Sequence, residues 1–261
     1  MKKLLLPLMY AALQFPAGAE VVTNSVEYEH DGTTLEGFHA YDDRVEGKRP
    51  GILIIHQWTG LTDYEKMRAK MLAELGYNVF AADIYGKGIR PQPPEAGEYA
   101  GKYKSDRKLY RARMMAGLDV LKSDERTHAS HIAAIGYCFG GTGVLELARA
   151  NAEITAVASF HGGLAPAEGM EAKEGEISPI VICFHGAIDP HVSPEEVDAF
   201  QKEMTAAGAD WQFVSFSGAV HAFTQKMAGD DPSKGAAYDE KADQRSWEYL
   251  KQFLDEAFGK S

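Results

Sequence analysis

The segment Ile135-Gly136-Tyr137-Cys138-Phe139-Gly140-Gly141 restricts the fold of this chain more than any other. An apolar run, His131 to Ile135, enters it, and a helix-like run, Thr142 to Ala150, leaves it. A strand that feeds a tight turn and then a helix lifts the central side chain above a sheet, at a helix N-terminus. Glycines on both sides suit a strained turn in which strand and helix approach closely. The central residue is a cysteine where most such turns carry serine, and the positive end of a helix dipole favours its thiolate. Taken alone, a cysteine in a glycine-rich turn reads as a small buried residue. The flanking elements, and the partners that follow along the chain, favour a nucleophile.

The rest of the chain fits that turn. Apolar strand-like runs alternate with helical patterns after about residue 50, which predicts βαβ units and a mostly parallel sheet. Strands are expected over Gly51–Ile55, Tyr77–Ala82, His131–Ile135, Ile154–Phe160, Ile180–Phe184 and Trp211–Phe216. Helices are expected over Asp63–Leu75, closed by Gly76, over Arg107–Leu121, over Pro194–Ala207 behind a Ser193 cap, and over Asp239–Phe258. Ser25–His30 and Thr34–Tyr41, separated by Asp31-Gly32, read as an antiparallel hairpin. Gly86–Gly101, rich in Pro, Gly and charge, reads as a loop beside the site or part of a cap. No linker or repeat divides the chain, so residues 20–261 read as one catalytic domain.

The first residues carry a different message. Lys2 and Lys3 precede an apolar stretch, Leu4 to Phe15, and Ala17-Gly18-Ala19 forms a small-residue cleavage pattern before Glu20. This predicts a signal peptide over residues 1–19 and an exported mature protein, periplasmic or secreted. The stretch is too short and interrupted for a stable membrane span. A net charge of -11 argues against nucleic acid and anionic membrane surfaces as partners. No Cys/His cluster has zinc-site spacing, so no metal is expected. Of the two cysteines, Cys183 lies in the apolar run Pro179–Phe184 and reads as a core residue.

A thiol nucleophile needs a base, and the base needs an orienting group. In this fold class they follow in the order nucleophile, acid, histidine, each after a strand. Asp189 stands in His185-Gly186-Ala187-Ile188-Asp189-Pro190 after one buried strand, and His221 in Ser217-Gly218-Ala219-Val220-His221 after the last. His191 is the main rival for base, but it shares the aspartate's own loop. His161, in Ser159-Phe160-His161-Gly162-Gly163, also follows a strand and is expected to touch substrate. An oxyanion hole needs two preorganised donors. The Phe139 N–H is one; the other falls in His56-Gln57-Trp58-Thr59-Gly60, at Trp58 with Gln57 beside it. Trp58 equally fits a pocket wall or plain packing.

With these residues in place, the chain resembles the dienelactone hydrolase family of α/β hydrolases. The resemblance runs from about Val26 to about Phe258. It is carried by Gly136-Tyr137-Cys138-Phe139-Gly140-Gly141, Ala82-Asp83-Ile84-Tyr85-Gly86, Gly186-Ala187-Ile188-Asp189-Pro190 and Val220-His221-Ala222-Phe223. It implies an α/β-hydrolase fold, with a mostly parallel central sheet and helices on both faces. It also implies a monomeric hydrolase, free of metal and cofactor, whose Cys138, His221 and Asp189 open esters or lactones through an acyl-thiol intermediate. The glutamate with which family enzymes contact the resting thiol falls at Gln57, which cannot ionise. The two arginines that hold the family's substrate carboxylate fall at Lys87 and Gln225. Lys87 keeps the charge without the bidentate fork, and Gln225 keeps neither. Arg90 remains as a substitute.

The expected function is thus hydrolysis of small carboxylic esters or lactones. Two other readings stand beside it. One is a thioesterase or depalmitoylase-like acyl hydrolase, which a wide apolar pocket would favour. The other is a binding or redox-sensing protein on a retired hydrolase scaffold, to which the missing glutamate and an exported thiol lend weight.

Overall fold

The structure is a computed structural model that describes residues 21–259. The leader expected over residues 1–19 lies outside the described residues. Eight strands form one sheet in the order β1-β2-β4-β3-β5-β6-β7-β8. Strands β1 (Val21–His30) and β2 (Thr33–Asp42) make the hairpin expected from Asp31-Gly32. Both turn residues have positive φ, 49° and 69°, as a two-residue turn matched to strand twist requires. β2 joins β4 (Asn78–Ala82) antiparallel. From there the sheet is parallel through β3 (Arg49–Ile55), β5 (Thr127–Tyr137), β6 (Ala156–Phe160), β7 (Ile180–Gly186) and β8 (Trp211–Phe216).

Alternate strand residues feed two cores, because successive side chains leave a strand on opposite faces. Ile52, Ile54, Val79, Ala81 and Ile135 pack against α1 (Asp63–Glu74) and α6 (Glu240–Ala257), which supply Ala69, Leu72, Leu250 and Leu254. Leu53, Ile55, Phe80 and Ala134 pack on the other face. There they meet α2 (Glu95–Ser105), α3 (Arg107–Ser123), α4 (Phe139–Arg149) and α5 (Pro194–Ala206), through Tyr103, Met114, Leu145 and Phe200. Covered on both sides, β4 and β6 are buried at every residue, which is why they read as continuous apolar runs.

Strands β1 and β5 each begin four residues before the expected start, and two further boundaries differ next to the site. The Gly86–Gly101 segment is not all loop: its second half belongs to α2. Gly97 and Gly101 weaken a helical signal by about 1 kcal/mol each. The buried stripe of this short helix is only Ala96, Ala100 and Tyr103. Helix α4 starts at Phe139 rather than Thr142, so the glycines after Cys138 are helical. They are needed there for closeness, since a Cβ on Gly140 would collide with the carbonyl of Ile55 and one on Gly136 with the backbone of Gly140.

Candidate active site

Cys138 sits between β5 and α4 at φ 54°, ψ -112°, a left-handed conformation that a non-glycine residue holds only when its surroundings impose it. They do so here. The Cys138 N–H donates to the Phe160 carbonyl at 2.9 Å, and its own carbonyl accepts from Thr142 N–H at 3.2 Å. The next side chain, Phe139, stacks on Tyr110 with ring centroids 4.4 Å apart, and Tyr110 Oη donates to the Phe139 carbonyl at 2.8 Å. The turn is thus gripped from the sheet and from α3, and its thiol projects past the strand end.

Two loops from neighbouring strand ends meet that thiol. His221, after β8, places Nε2 at 3.1 Å from Cys138 Sγ and Nδ1 at 2.8 Å from Asp189 Oδ2. Asp189, after β7, accepts at its other oxygen from the His191 N–H at 2.8 Å, so both carboxylate oxygens are engaged. The main chain of His221 is clamped in turn, its N–H to Gly235 O at 3.3 Å and its carbonyl from Ala237 N–H at 3.0 Å. His191 is exposed and stands edge-on to His221, 5.0 Å between centroids, without a hydrogen bond to the thiol.

The charges follow this geometry. Burial by itself would raise the Cys138 thiol, but the adjoining imidazole outweighs it and the thiol falls below its ordinary value. The Phe139 N–H and the Lys104 ammonium, on the last turn of α2, act in the same direction. Burial would lower His221, yet Cys138 and Asp189 reverse it and carry the imidazole up to about 10. Burial opposes ionisation of Asp189 too, and the bond from His221 overcomes it, so the carboxyl lies below its usual range. The opposed shifts of thiol and imidazole favour the thiolate–imidazolium form of the pair.

The loop expected to complete an oxyanion hole is fixed from beneath. Gln57 donates its N–H to Glu65 Oε1 at 3.2 Å and its amide to the same oxygen at 3.4 Å. The other oxygen of this fully buried carboxylate accepts from Thr62 N–H at 2.8 Å and Thr62 Oγ1 at 2.7 Å. Trp58, 36% exposed, is held through its carbonyl by Tyr85 Oη at 3.0 Å. His56 accepts at Nε2 from Ile84 N–H at 3.2 Å, so Nδ1 carries the proton it gives to the Gln57 carbonyl at 2.6 Å.

The remaining residues named from sequence scatter. Lys87 turns to Glu27 on β1, 2.5 Å away, and both are half-exposed. Arg90 spends its guanidinium on the carbonyls of Leu61 and Ile89 and lies 3.7 Å from Asp83. Gln225, half-buried, precedes the short 3-10 turn Lys226–Ala228, four places beyond His221. His161 is only 1% exposed; it lies under the site, edge-on to His221 at 5.2 Å and bonded through Nε2 to Thr224 Oγ1 at 2.9 Å.

Sequence reasoning passed over Glu65, Tyr85, Lys104 and the Thr224 neighbourhood. Thr62-x-x-Glu65 is a capping-box pattern, a signal that was available for the first. The others are brought in only by the fold. Among the described residues no three His, Cys, Asp or Glu side chains converge as metal ligands would, and no helix is long and apolar enough to cross a membrane. A cavity of about 780 Å³ opens between the β1–β2 hairpin and α3, lined by Tyr28, His30, His39 and Met115, and it includes none of the three triad candidates.

The model of the dienelactone hydrolase family matches residues 35–258. A dienelactone hydrolase-like promiscuous phosphotriesterase from metagenomic libraries superimposes with a TM-score of 0.87 at 37% identity, covering 92% of this chain and 100% of its own. An uncharacterised Caenorhabditis elegans protein is 42% identical over 148 residues, 56% of this chain and 92% of its own length. The carboxymethylenebutenolidase of Rhodococcus opacus is 26% identical over 230 residues, 83% of this chain and 85% of that enzyme.

Proposed function

This chain belongs to the dienelactone hydrolase family, and on that premise we propose that it hydrolyses small carboxylic esters or lactones by a Cys138–His221–Asp189 triad. The observation that carries the reading is the His221 imidazole, bonded at once to the thiol sulfur and to the Asp189 carboxylate. The thiolate adds to the ester carbonyl, and the negative charge moves to oxygen, facing the Phe139 and Trp58 N–H groups. The tetrahedral adduct collapses as the carbon–oxygen bond breaks, and His221 Nε2 gives its proton to the leaving alkoxide. Neutral His221 then takes a proton from water, whose oxygen attacks the acyl-thiol. The carbon–sulfur bond breaks and the ion pair is restored. Asp189 keeps the imidazole in the required tautomer and stabilises its charged form. No metal or cofactor enters this scheme.

Neutral, short substrates fit best, because Lys87 is committed to Glu27 and Arg90 to main-chain carbonyls. The test is intact-mass detection of an acyl adduct on Cys138 during turnover of a p-nitrophenyl ester, absent in Cys138→Ala. Turnover by Cys138→Ala at the wild-type rate overturns the assignment.

A second substrate class is favoured by one specific finding, the full-length likeness to a promiscuous phosphotriesterase at 37% identity. The same thiolate would displace an aryloxide from an aryl dialkyl phosphate, forming a sulfur–phosphorus bond that water must then cleave. A stoichiometric burst of phenol with a dialkylphosphoryl adduct on Cys138 is the expected signature. We further read the protein as an exported monomer. Recovery outside the cytoplasm of a chain beginning near Glu20, eluting at the mass of one chain, is the outcome expected.

A further inference from the structure

The polar groups behind the base form a chain that the hydrolytic scheme leaves unused. Arg68 on α1, 4% exposed, is paired with Asp243 on α6, 2.5 Å away. Its guanidinium lies over the rings of Tyr64, Tyr137 and Trp247. Arg68 Nε donates to Tyr64 Oη at 3.1 Å, and Tyr64 Oη donates to Thr224 Oγ1 at 2.7 Å. The Thr224 hydroxyl then has one proton to give, and the side chain 2.9 Å away is His161, at Nε2. Nε2 is thereby the bare acceptor and the proton of this ring sits on Nδ1, which has no hydrogen-bond partner beyond the residue's own main chain. Four segments far apart in sequence meet here: α1, the residue after β6, the loop after β8, and α6. His161 itself has φ 40°, so its placement is imposed rather than relaxed.

We propose that Tyr64, Thr224 and His161 are positioning residues for His221: a one-way relay, anchored on the Arg68–Asp243 pair, fixes His161 as a neutral ring against the back of the base. This rests on His221 being the base of the hydrolase. The relay blocks the nitrogen at which His161 would otherwise accept a proton, so the site proton stays on His221. It also keeps a second positive charge away from the imidazolium. The groups that bear on His161 agree with a neutral ring. His221 from the β8 loop and Arg68 from α1 disfavour a charge there, as burial does most strongly. Tyr64 on α1 and Tyr137 on β5 are held as neutral phenols by burial, and Asp243 is taken up by Arg68. His221 is faced in addition by Asp189 and His191 from the β7 loop and by Cys138, with His185 beside Asp189.

Thr224→Val keeps the shape of the side chain and removes the donor to Nε2. His161 then becomes easier to protonate, and its charge disfavours the imidazolium next to it. The direct reading is the His161 titration by ring-carbon NMR, which does not depend on turnover. It should move up by about one pH unit, a tenfold change in the protonation equilibrium. The acid limb of the kcat/KM profile for p-nitrophenyl acetate should move up with it. The loss should grow as pH falls along the acid limb and stay below about threefold above pH 8. Thr224→Ser should restore the wild-type profile. If Thr224→Val does not fold, Tyr64→Phe removes the previous donor and should shift the profile the same way by less. An unchanged His161 titration, or an equal fall in rate at every pH that serine does not rescue, overturns the relay. Wild-type turnover by Cys138→Ala overturns the hydrolase reading instead, and leaves the His161 titration to be judged separately.

Discussion

Cys138 and Cys183 are the same residue in two settings, one at the turn after β5 and one inside β7. Both thiols are held in surroundings that penalise a charge. Cys183, 2% exposed and flanked across the sheet by Ser159 and Phe213, is pushed up to about 12 by burial, which the Arg149 charge opposes too weakly to reverse. Cys138 is lowered, because an imidazole stands 3.1 Å from its sulfur. Burial therefore does not distinguish a reactive cysteine from an inert one. What does is whether the backbone carries the thiol beyond the strand, to where loops from other strands can reach it.

The two cysteines should exchange consequences when removed. Cys138→Ala is expected to lower kcat for a p-nitrophenyl ester by about five orders of magnitude. Cys183→Ala should leave kcat nearly intact and cost about 1–2 kcal/mol in urea unfolding, because it opens a small void in β7. A Cys183→Ala variant that lost most of its activity would break the contrast. Asp189→Asn tests whether the imidazole alone makes the difference. It keeps the shape and loses the tautomer control, so kcat should drop by roughly 10⁴-fold while Cys183 is unaffected.

Alkylation reads the contrast directly. At pH 7 iodoacetamide should modify Cys138 about tenfold faster than a free thiol, and Cys183 only after unfolding. The rate should hold as pH falls below the ordinary thiol value of 9.0 and decline only at the lowered value of Cys138. Stability carries the same sign. His221 is raised above its unfolded value, so its share is full below pH 6.5 and is lost as pH rises toward about 10. Cys138 is lowered, so its share is full above 9.0 and is lost as pH falls through its folded value. The two shares fade at opposite ends, so the unfolding difference between wild type and Cys138→Ala should shrink as pH rises toward about 10 and as pH falls through the lowered Cys138 value. The smallest effect is expected from Lys104→Ala. Its exposed charge is screened by salt, and alkylation of Cys138 at pH 6 should slow by about two- to threefold in dilute buffer.

Much of this was legible before the fold. The βαβ alternation marks the six strands of the parallel part, most clearly the inner ones, because strands covered on both faces are apolar throughout. Cys138, Asp189 and His221 could be named because they follow one another in the expected order, each just after a strand. Helix α2 was half-hidden, since its glycines and three-residue stripe leave little period to read. Glu65 was overlooked although its capping box was present. Tyr64 and Arg68 lie one turn apart on α1, but their bonds to Thr224 and Asp243 span 156 to 175 residues, so only the closed sheet brings the partners together. Lys87 shows the converse. Its place after Asp83-Ile84-Tyr85-Gly86 points toward substrate, and a glutamate on β1, 60 residues away, draws its charge aside.

The strand order also sets when the chain becomes chemically dangerous. The base arrives on the loop after β8, the outermost strand, which pairs only with β7. Until that last strand docks, the sulfur of Cys138 has no imidazole beside it and behaves as an ordinary thiol. A chain whose last strand has yet to dock therefore lacks the thiol–imidazole contact, which comes with the closing of the sheet's far edge rather than with the folding of the turn that holds Cys138.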